Sequence, residues 1–225
     1  MKKVLYAVAL SLLLTACGTT SQFTRSSQYA KMYEEKPLTL LVMPPINNSS
    51  SVDAKELLYT SISCPLAEAG YYVISPMLAM DVLRSESAYD AENFVEAPLG
   101  KFGEFFGADA VVFSEIKTWT KRGFGIATDI RYFIRSTKTN ETLFDRTCSL
   151  YLDLSTTTGL GSGWVSALID VAASALNTAL TENIQAARMA NYYIFKDIPR
   201  GQYHPDFGQD GAFPAEAKDV SKTVQ

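Results

Sequence analysis

Apolar and polar positions divide this chain into segments with different periods. An apolar run from Val4 to Leu14 opens it, and a polar, Ser- and Thr-rich stretch covers Gly18 to Lys36. That second stretch reads as a flexible tether, because it offers little apolar surface to offset the entropy of ordering. Leu38 to Met43 is then apolar without alternation and closes on Pro44-Pro45, the signature of a strand covered on both faces. Ala54, Leu57, Leu58, Ile62, Leu66 and Ala69 recur at helical spacing, with Asp53 and Glu56 in the pattern of a capping box and Gly70 at the end. Pro65 lies inside that helix and should kink it, since its ring clashes with the carbonyl four residues back and it has no N–H to donate.

A second strand follows at Tyr71 to Ser75, and Pro76 opens another helical pattern through Leu78, Val82 and Leu83. Residues 84–98 are polar and acidic; Leu99, Phe102, Phe105 and Phe106 mark a short helix ending at Gly107. Residues 110–119, 126–135 and 143–154 are strand-like, and in the middle one Ile126, Thr128, Ile130, Tyr132 and Ile134 alternate with Ala127, Asp129, Arg131, Phe133 and Arg135. Lys121-Arg122-Gly123 and Lys138 to Glu141 supply the turns. Trp164 to Leu180 reads as an amphipathic helix, too short and, with Asp170 and Asn177, too polar to span a membrane. Together these predict an α/β fold: a mixed sheet with helices packed on it, early parallel βαβ strands, then an antiparallel meander and a C-terminal helix. The domain is expected over 37–198, with 199–225 as an irregular Gly-, Pro- and charge-rich tail.

The opening run changes the picture once its flanks are included. Lys2 and Lys3 precede it and Leu14-Thr15-Ala16-Cys17 follows, which is the layout of a secretion signal ending in a lipobox. A span of about 11 apolar residues is too short for a bilayer core that needs about 20. Residues 1–16 are therefore expected to be removed, leaving Cys17 as the lipidated first residue of a tether over 17–36. Its acyl chains would hold the protein on a membrane, not through it. Position 18 is Gly and not Asp, which under the usual sorting rule of diderm bacteria points to the outer membrane, facing the periplasm.

Removal of residues 1–16 takes away two lysines and no acids, leaving 18 basic and 24 acidic side chains on 209 residues, a net charge of −6. That balance argues against nucleic acid as a partner. Besides Cys17 only Cys64 and Cys148 remain, which in an oxidising compartment permits one disulfide; two buried free thiols are the equal alternative.

The chain offers little for catalysis. His204 is its single histidine, there is no zinc-type spacing, and no G-x-S-x-G elbow is present. Gly159, Gly161 and Gly163 precede a helix but lack the G-K-[ST] of a phosphate loop, so a flexible connection is the better reading. Asp109 with Glu115, and Asp145 with Asp153, fall on strands or turns where a solvated face is the ordinary explanation. No catalytic residue, metal ligand or cofactor is expected. Tyr29, Tyr33, Phe23, Tyr192, Tyr193, Tyr203 and Phe207 are candidates for adhesive patches, although for each residue taken singly core packing or plain exposure is the favoured explanation. Phe102, Phe105, Phe106, Trp119 and Phe124 motivate the alternative of a carrier for a small or lipidic ligand, unless they are simply core.

Pro65 to Val73, the segment PLAEAGYYV, together with FGADAV at Phe106 to Val111, LLVMPP at Leu40 to Pro45 and GQYHPDFG at Gly201 to Gly208, resembles a family of bacterial lipoproteins that includes a meningococcal vaccine-candidate surface lipoprotein. The passage ending in FGADAVV is more loosely similar to the N-terminal domain of TolB and the periplasmic domain of the curli-secretion channel family. The resemblance implies an outer-membrane-anchored module, non-enzymatic, working with an envelope protein such as a curli-channel-like lipoprotein in transport or assembly, either as one copy or as a homo-oligomer. It supplies no catalytic residues and no place for Cys64 or Cys148.

Overall fold

The strongest alternation in the chain produces the longest strands. In a computed structural model, which describes residues 23–155 and 175–225, the elements in chain order are α1 (Arg25–Gln28), α2 (Ala30–Glu35), β1 (Thr39–Val42), β2 (Ile46–Asn47), α3 (Ala54–Ser61), α4 (Ser63–Glu68), β3 (Tyr72–Val73), α5 (Pro76–Ser85), α6 (Gly100–Phe106), β4 (Ala110–Arg122), β5 (Gly125–Ser136), β6 (Thr142–Asp153), α7 (Ala175–Phe195) and β7 (Asp219–Val224). They build one seven-stranded sheet in the order β3-β1-β4-β5-β6-β7, with β2 beside β4. β1 runs parallel to β3 and β4, while β4, β5 and β6 form the expected antiparallel meander. β1 and β2 both lie along β4, interrupted at Pro44-Pro45, two residues that have no N–H for the ladder.

The alternation within β5 sorts its side chains onto two cores. Ile126, Ile130, Tyr132 and Ile134 join Leu58, Ile62, Leu66 and Ile194 beneath α3, α4 and α7, whereas Phe133 packs with Leu41, Val111, Phe113, Leu83 and Phe102 beneath α5 and α6. The Phe113 and Phe133 rings stack at 5.0 Å. Gly107 ends α6 in the left-handed region, φ +66°, where a Cβ would be strained.

The structure departs from the sequence pattern in four places. First, Asp53 makes no side-chain cap and has helical backbone angles, so the capping box does not form; the helix does break, at Ile62, where Pro65 has no N–H for the carbonyl of Ser61. Second, the tether does not run flexibly to Lys36. Residues 25–35 fold into α1 and α2, burying Tyr29 and Met32, and the Tyr29 ring stacks on Phe144 at 5.4 Å. Two inward residues on two short helices are too few to stand out as a periodic pattern.

Third, the C-terminal tail is not irregular throughout: β7 pairs in parallel with β6, turning Val220 onto the core and Ser221 away from it. Upstream, Gly201 and Tyr203 donate backbone hydrogen bonds to Ala69 and Gly70. A Cβ on Gly201 would lie 2.3 Å from the carbonyl oxygen of Gly70, so this crossing needs the glycine. Fourth, the helix expected to end at Leu180 continues to Phe195, because Ala186, Ala190 and Ile194 recur four apart and are buried. The beginning of that predicted helix, the Gly159–Gly163 segment, the signal and Cys17 lie outside the described residues.

Candidate interaction surface

Two polar anchors seat α7 on the sheet. Asn191 accepts from Tyr132 Oη (2.9 Å) and donates to Ser61 Oγ (2.9 Å) and the Leu58 carbonyl (3.2 Å), while Asn183 accepts from Trp119 Nε1 at 2.7 Å. Beside these anchors the surface between α7 and the α3–α4 pair is not fully closed. Two depressions of roughly 560 and 600 Å3 remain, and they share Pro65, Glu68 and Tyr192 as a common wall. Leu57, Ile184 and Arg188 line the far end of this groove; Lys196, Phe213 and Glu216 line the near end.

Under the near end lie two arginine–carboxylate pairs. The Arg146 guanidinium is paired with Asp197 and also donates to the carbonyls of Ile194 (3.1 Å), Ala217 (2.7 Å) and Lys218 (3.4 Å). Asp197 accepts in turn from Tyr29 Oη (3.0 Å) and the Glu216 N–H (2.7 Å). Burial pushes the Tyr29 phenol well above its ordinary range, which keeps it a donor. The second pair is Arg25 Nη1 to Asp210 Oδ2 at 3.1 Å, with the Arg200 N–H on the same carboxylate oxygen (3.0 Å). Among the described residues Arg25 Nε and Asp210 Oδ1 make no hydrogen bond, although the Tyr33 phenol faces the Asp210 carboxylate, which together with burial pushes that phenol above its ordinary range.

The groups singled out for chemistry do not converge. His204 Nδ1 accepts the backbone N–H of Asp206 at 3.1 Å. Asp109 accepts from the Leu38 and Thr39 N–H groups and from Lys138 Nζ, whereas Glu115 accepts from Asn48. Asp145 forms a two-pronged pair with Arg131, and Asp153 accepts from the Ser155 N–H. Among the described residues no group of three His, Cys, Asp or Glu side chains is placed to hold a metal ion.

Both Cys64 and Cys148 are free thiols, Cys64 exposed on α4 and Cys148 buried in β6, so the disulfide alternative is not the one the structure adopts. Burial pushes the Cys148 thiol up to about 12; burial and the Glu68 carboxylate, which accepts from Cys64 Sγ at 3.5 Å, raise Cys64 as well. Neither is set up as a thiolate nucleophile.

The aromatic candidates scatter too. Phe102 and Trp119 are buried on opposite faces of the sheet, and Phe105 and Phe124 are exposed at separate places. Tyr192 and Phe213 meet at the groove, the first anticipated as adhesive and the second not. Arg25, Arg146, Asp197 and Asp210 were missed altogether, since single charged residues far apart in sequence carry no periodic signal.

The architecture is thus that of an α/β module with a mixed-polarity groove and no converged reactive groups among the described residues. Residues 27–199 match the family described as "Putative lipoprotein GNA1162-like", and the chain belongs to it. It is 31% identical over 113 residues to "Putative lipoprotein NMB1124/NMB1162" of Neisseria meningitidis serogroup B, a match covering 50% of this chain and 52% of that protein. The aligned part therefore spans about half the length of this curated relative. Among solved structures, lipoprotein GNA1162 from Neisseria meningitidis is similar with a TM-score of 0.47 and 21% identity, covering 67% of this chain and 99% of that one. A PelC dodecamer from Paraburkholderia phytofirmans has a TM-score of 0.40 and 11% identity, covering 73% and 90%.

Proposed function

We propose that this chain is an outer-membrane lipoprotein, anchored through Cys17 with its domain in the periplasm, that acts as a non-enzymatic interaction module and takes an extended segment of an envelope protein into the groove between α4 and α7. Membership of a lipoprotein family and the lipobox support the anchor; Gly18 supports the outer membrane. The observation that carries the binding role is the groove itself. It is elongated, and it pairs apolar Leu57, Ile184 and Tyr192 with Glu68 on one wall and Arg188 and Lys196 on the other. Such a surface suits a polypeptide, which presents apolar and charged side chains in turn, better than a compact apolar ligand. The resemblance to lipoproteins of curli-type secretion makes a curli-channel-like lipoprotein the first partner class to test.

A photoreactive phenylalanine placed at Tyr192 in intact cells should give a discrete adduct with an envelope protein, and the combined charge reversals Glu68→Lys and Arg188→Glu should abolish it. An adduct of twice the protein's own mass would instead identify a homo-oligomer. The same abundant proteins trapped from Tyr192 and from Phe105, on the opposite layer, would overturn the reading.

A further inference from the structure

The domain's N-terminus is bolted down close to the residue that carries the lipid. The Ala215 N–H donates to the Phe23 carbonyl (2.7 Å) and the Arg25 N–H to that of Phe213 (2.9 Å), a two-rung antiparallel ladder around Thr24 and Pro214. Arg25 is fixed further by Asp210, and its guanidinium lies 5.7 Å from the Phe213 ring centre. Phe23, the first residue of this ladder, stands six positions after Cys17 in the sequence. At no more than about 3.6 Å per residue, that stretch reaches about 20 Å at full extension. A domain of this size is about 40 Å across, so faces remote from Phe23 are out of reach of the bilayer surface.

The face that is in reach exposes aromatic side chains. Phe23 is 67% and Phe213 46% solvent-exposed, although each belongs to an ordered ladder. Lys218 lines the same depression as Phe23, and Lys196 the same one as Phe213; each has half or more of its side chain in solvent, with Glu216 3.5 Å from Lys196 and Asp145 3.9 Å from Lys218 in loose surface pairs. Aromatic rings flanked by lysines are the composition that settles at a membrane interface, rings among the upper acyl chains and ammonium groups at the phosphates.

Resting on the reading of Cys17 as the lipid anchor, we infer that the Phe23–Phe213 ladder is a second membrane contact, which seats this end of the domain on the phospholipid surface carrying the anchor. The rings supply a contact beyond the acyl chains. Their placement also orients the groove, whose Phe213 end lies against the membrane while its Leu57 and Ile184 end points away from it.

The test uses the full-length, natively processed lipoprotein reconstituted in vesicles of phosphatidylethanolamine and phosphatidylglycerol, with a fraction of the lipid brominated on its acyl chains. Phe213→Trp, Phe23→Trp and Phe105→Trp variants are compared with the unsubstituted protein. The indoles introduced at positions 213 and 23 should each lose about half or more of their emission to the bromines, and the one at Phe105, on the other layer of the sheet, should lose almost none. Mass spectrometry of the N-terminal peptide and flotation with the vesicles are read on the same samples. Acylated, floating protein with no quenching at 213 or 23, or with equal quenching at all three positions, overturns the membrane contact and leaves the anchor intact. Shielding of the 213 indole that depends on protein concentration and not on bromine assigns the face to a second copy, and also overturns it. Absence of acyl chains on Cys17 overturns both readings.

Discussion

The two arginine–carboxylate pairs under the groove have the same chemistry and differ in completeness. Arg146–Asp197 is closed: three backbone carbonyls surround the guanidinium, and a phenol and a backbone N–H complete the carboxylate. Arg25–Asp210 is less complete: among the described residues Arg25 Nε and Asp210 Oδ1 make no hydrogen bond although both residues are buried, and the Tyr33 phenol faces the carboxylate. Each pair ties a chain end to the domain, the first by gripping the strand entry at Ala217 and Lys218, the second by joining α1 to the loop before β7. The difference teaches that β7 is held by a more completely hydrogen-bonded polar network than the segment that begins at Arg25. Breaking a complete buried pair strands several groups at once, whereas breaking an incomplete one adds little to a cost already present.

The largest expected effect is therefore Arg146→Ala, which should cost about 3–5 kcal/mol in urea unfolding because Asp197 is left charged and buried. A loss under about 1 kcal/mol would erase the distinction between the pairs. Arg25→Met should cost less, about 1–3 kcal/mol, and Arg25→Met combined with Asp210→Leu should recover part of it, since no charge is then left alone.

Thiol labelling sharpens the same comparison. In the native protein iodoacetamide should modify Cys64 and spare Cys148, which lies on β6 two residues from Arg146. In Arg146→Ala, Cys148 should become reactive at denaturant concentrations where Arg25→Met still protects it. Equal protection in the two variants would show that both clasps open together.

The smallest effect belongs to Asp109, a carboxylate just before β4 that accepts from the N–H groups at the start of β1, away from both clasps. Burial alone would raise Asp109, but hydrogen bonds from Lys138 and from the Thr39 and Leu38 N–H groups outweigh it and hold its carboxyl below the usual range. A lowered folded value means that the stabilisation is present above the unfolded pKa of about 3.9 and is lost as pH falls through the folded value. Asp109→Asn should flatten the acid end of the stability–pH curve and leave its neutral part little changed in slope. An unchanged acid limb would assign the contact no net role.

Much of the fold was legible because it rests on local periods. The alternation from Ile126 to Ile134 announced a strand with two distinct faces, and the structure puts Phe133, out of phase with the isoleucines, in the second core. Pro65 announced a broken helix and Gly107 a helix end. The misses share one cause: α1 buries no apolar side chain, α2 only Met32 and β7 only Val220, with Tyr29 between the two helices, so their order comes from partners distant in sequence, such as Phe144 for Tyr29 and β6 for Val220. The groove was equally hidden, since Glu68, Arg188 and Tyr192 become neighbours only when α4 and α7 pack.

By itself, the sequence determined the α/β class, the meander and the helices flanking it. These follow from side-chain period and local backbone chemistry, which act within a few residues. Only the tertiary structure decided that residues 25–35 and 219–224 join the domain, that Cys64 and Cys148 stay apart, and that a groove lies above two buried ion pairs. Those features depend on loop closures across many residues, where burial and hydrogen bonding between remote segments, and not local preference, determine which groups meet.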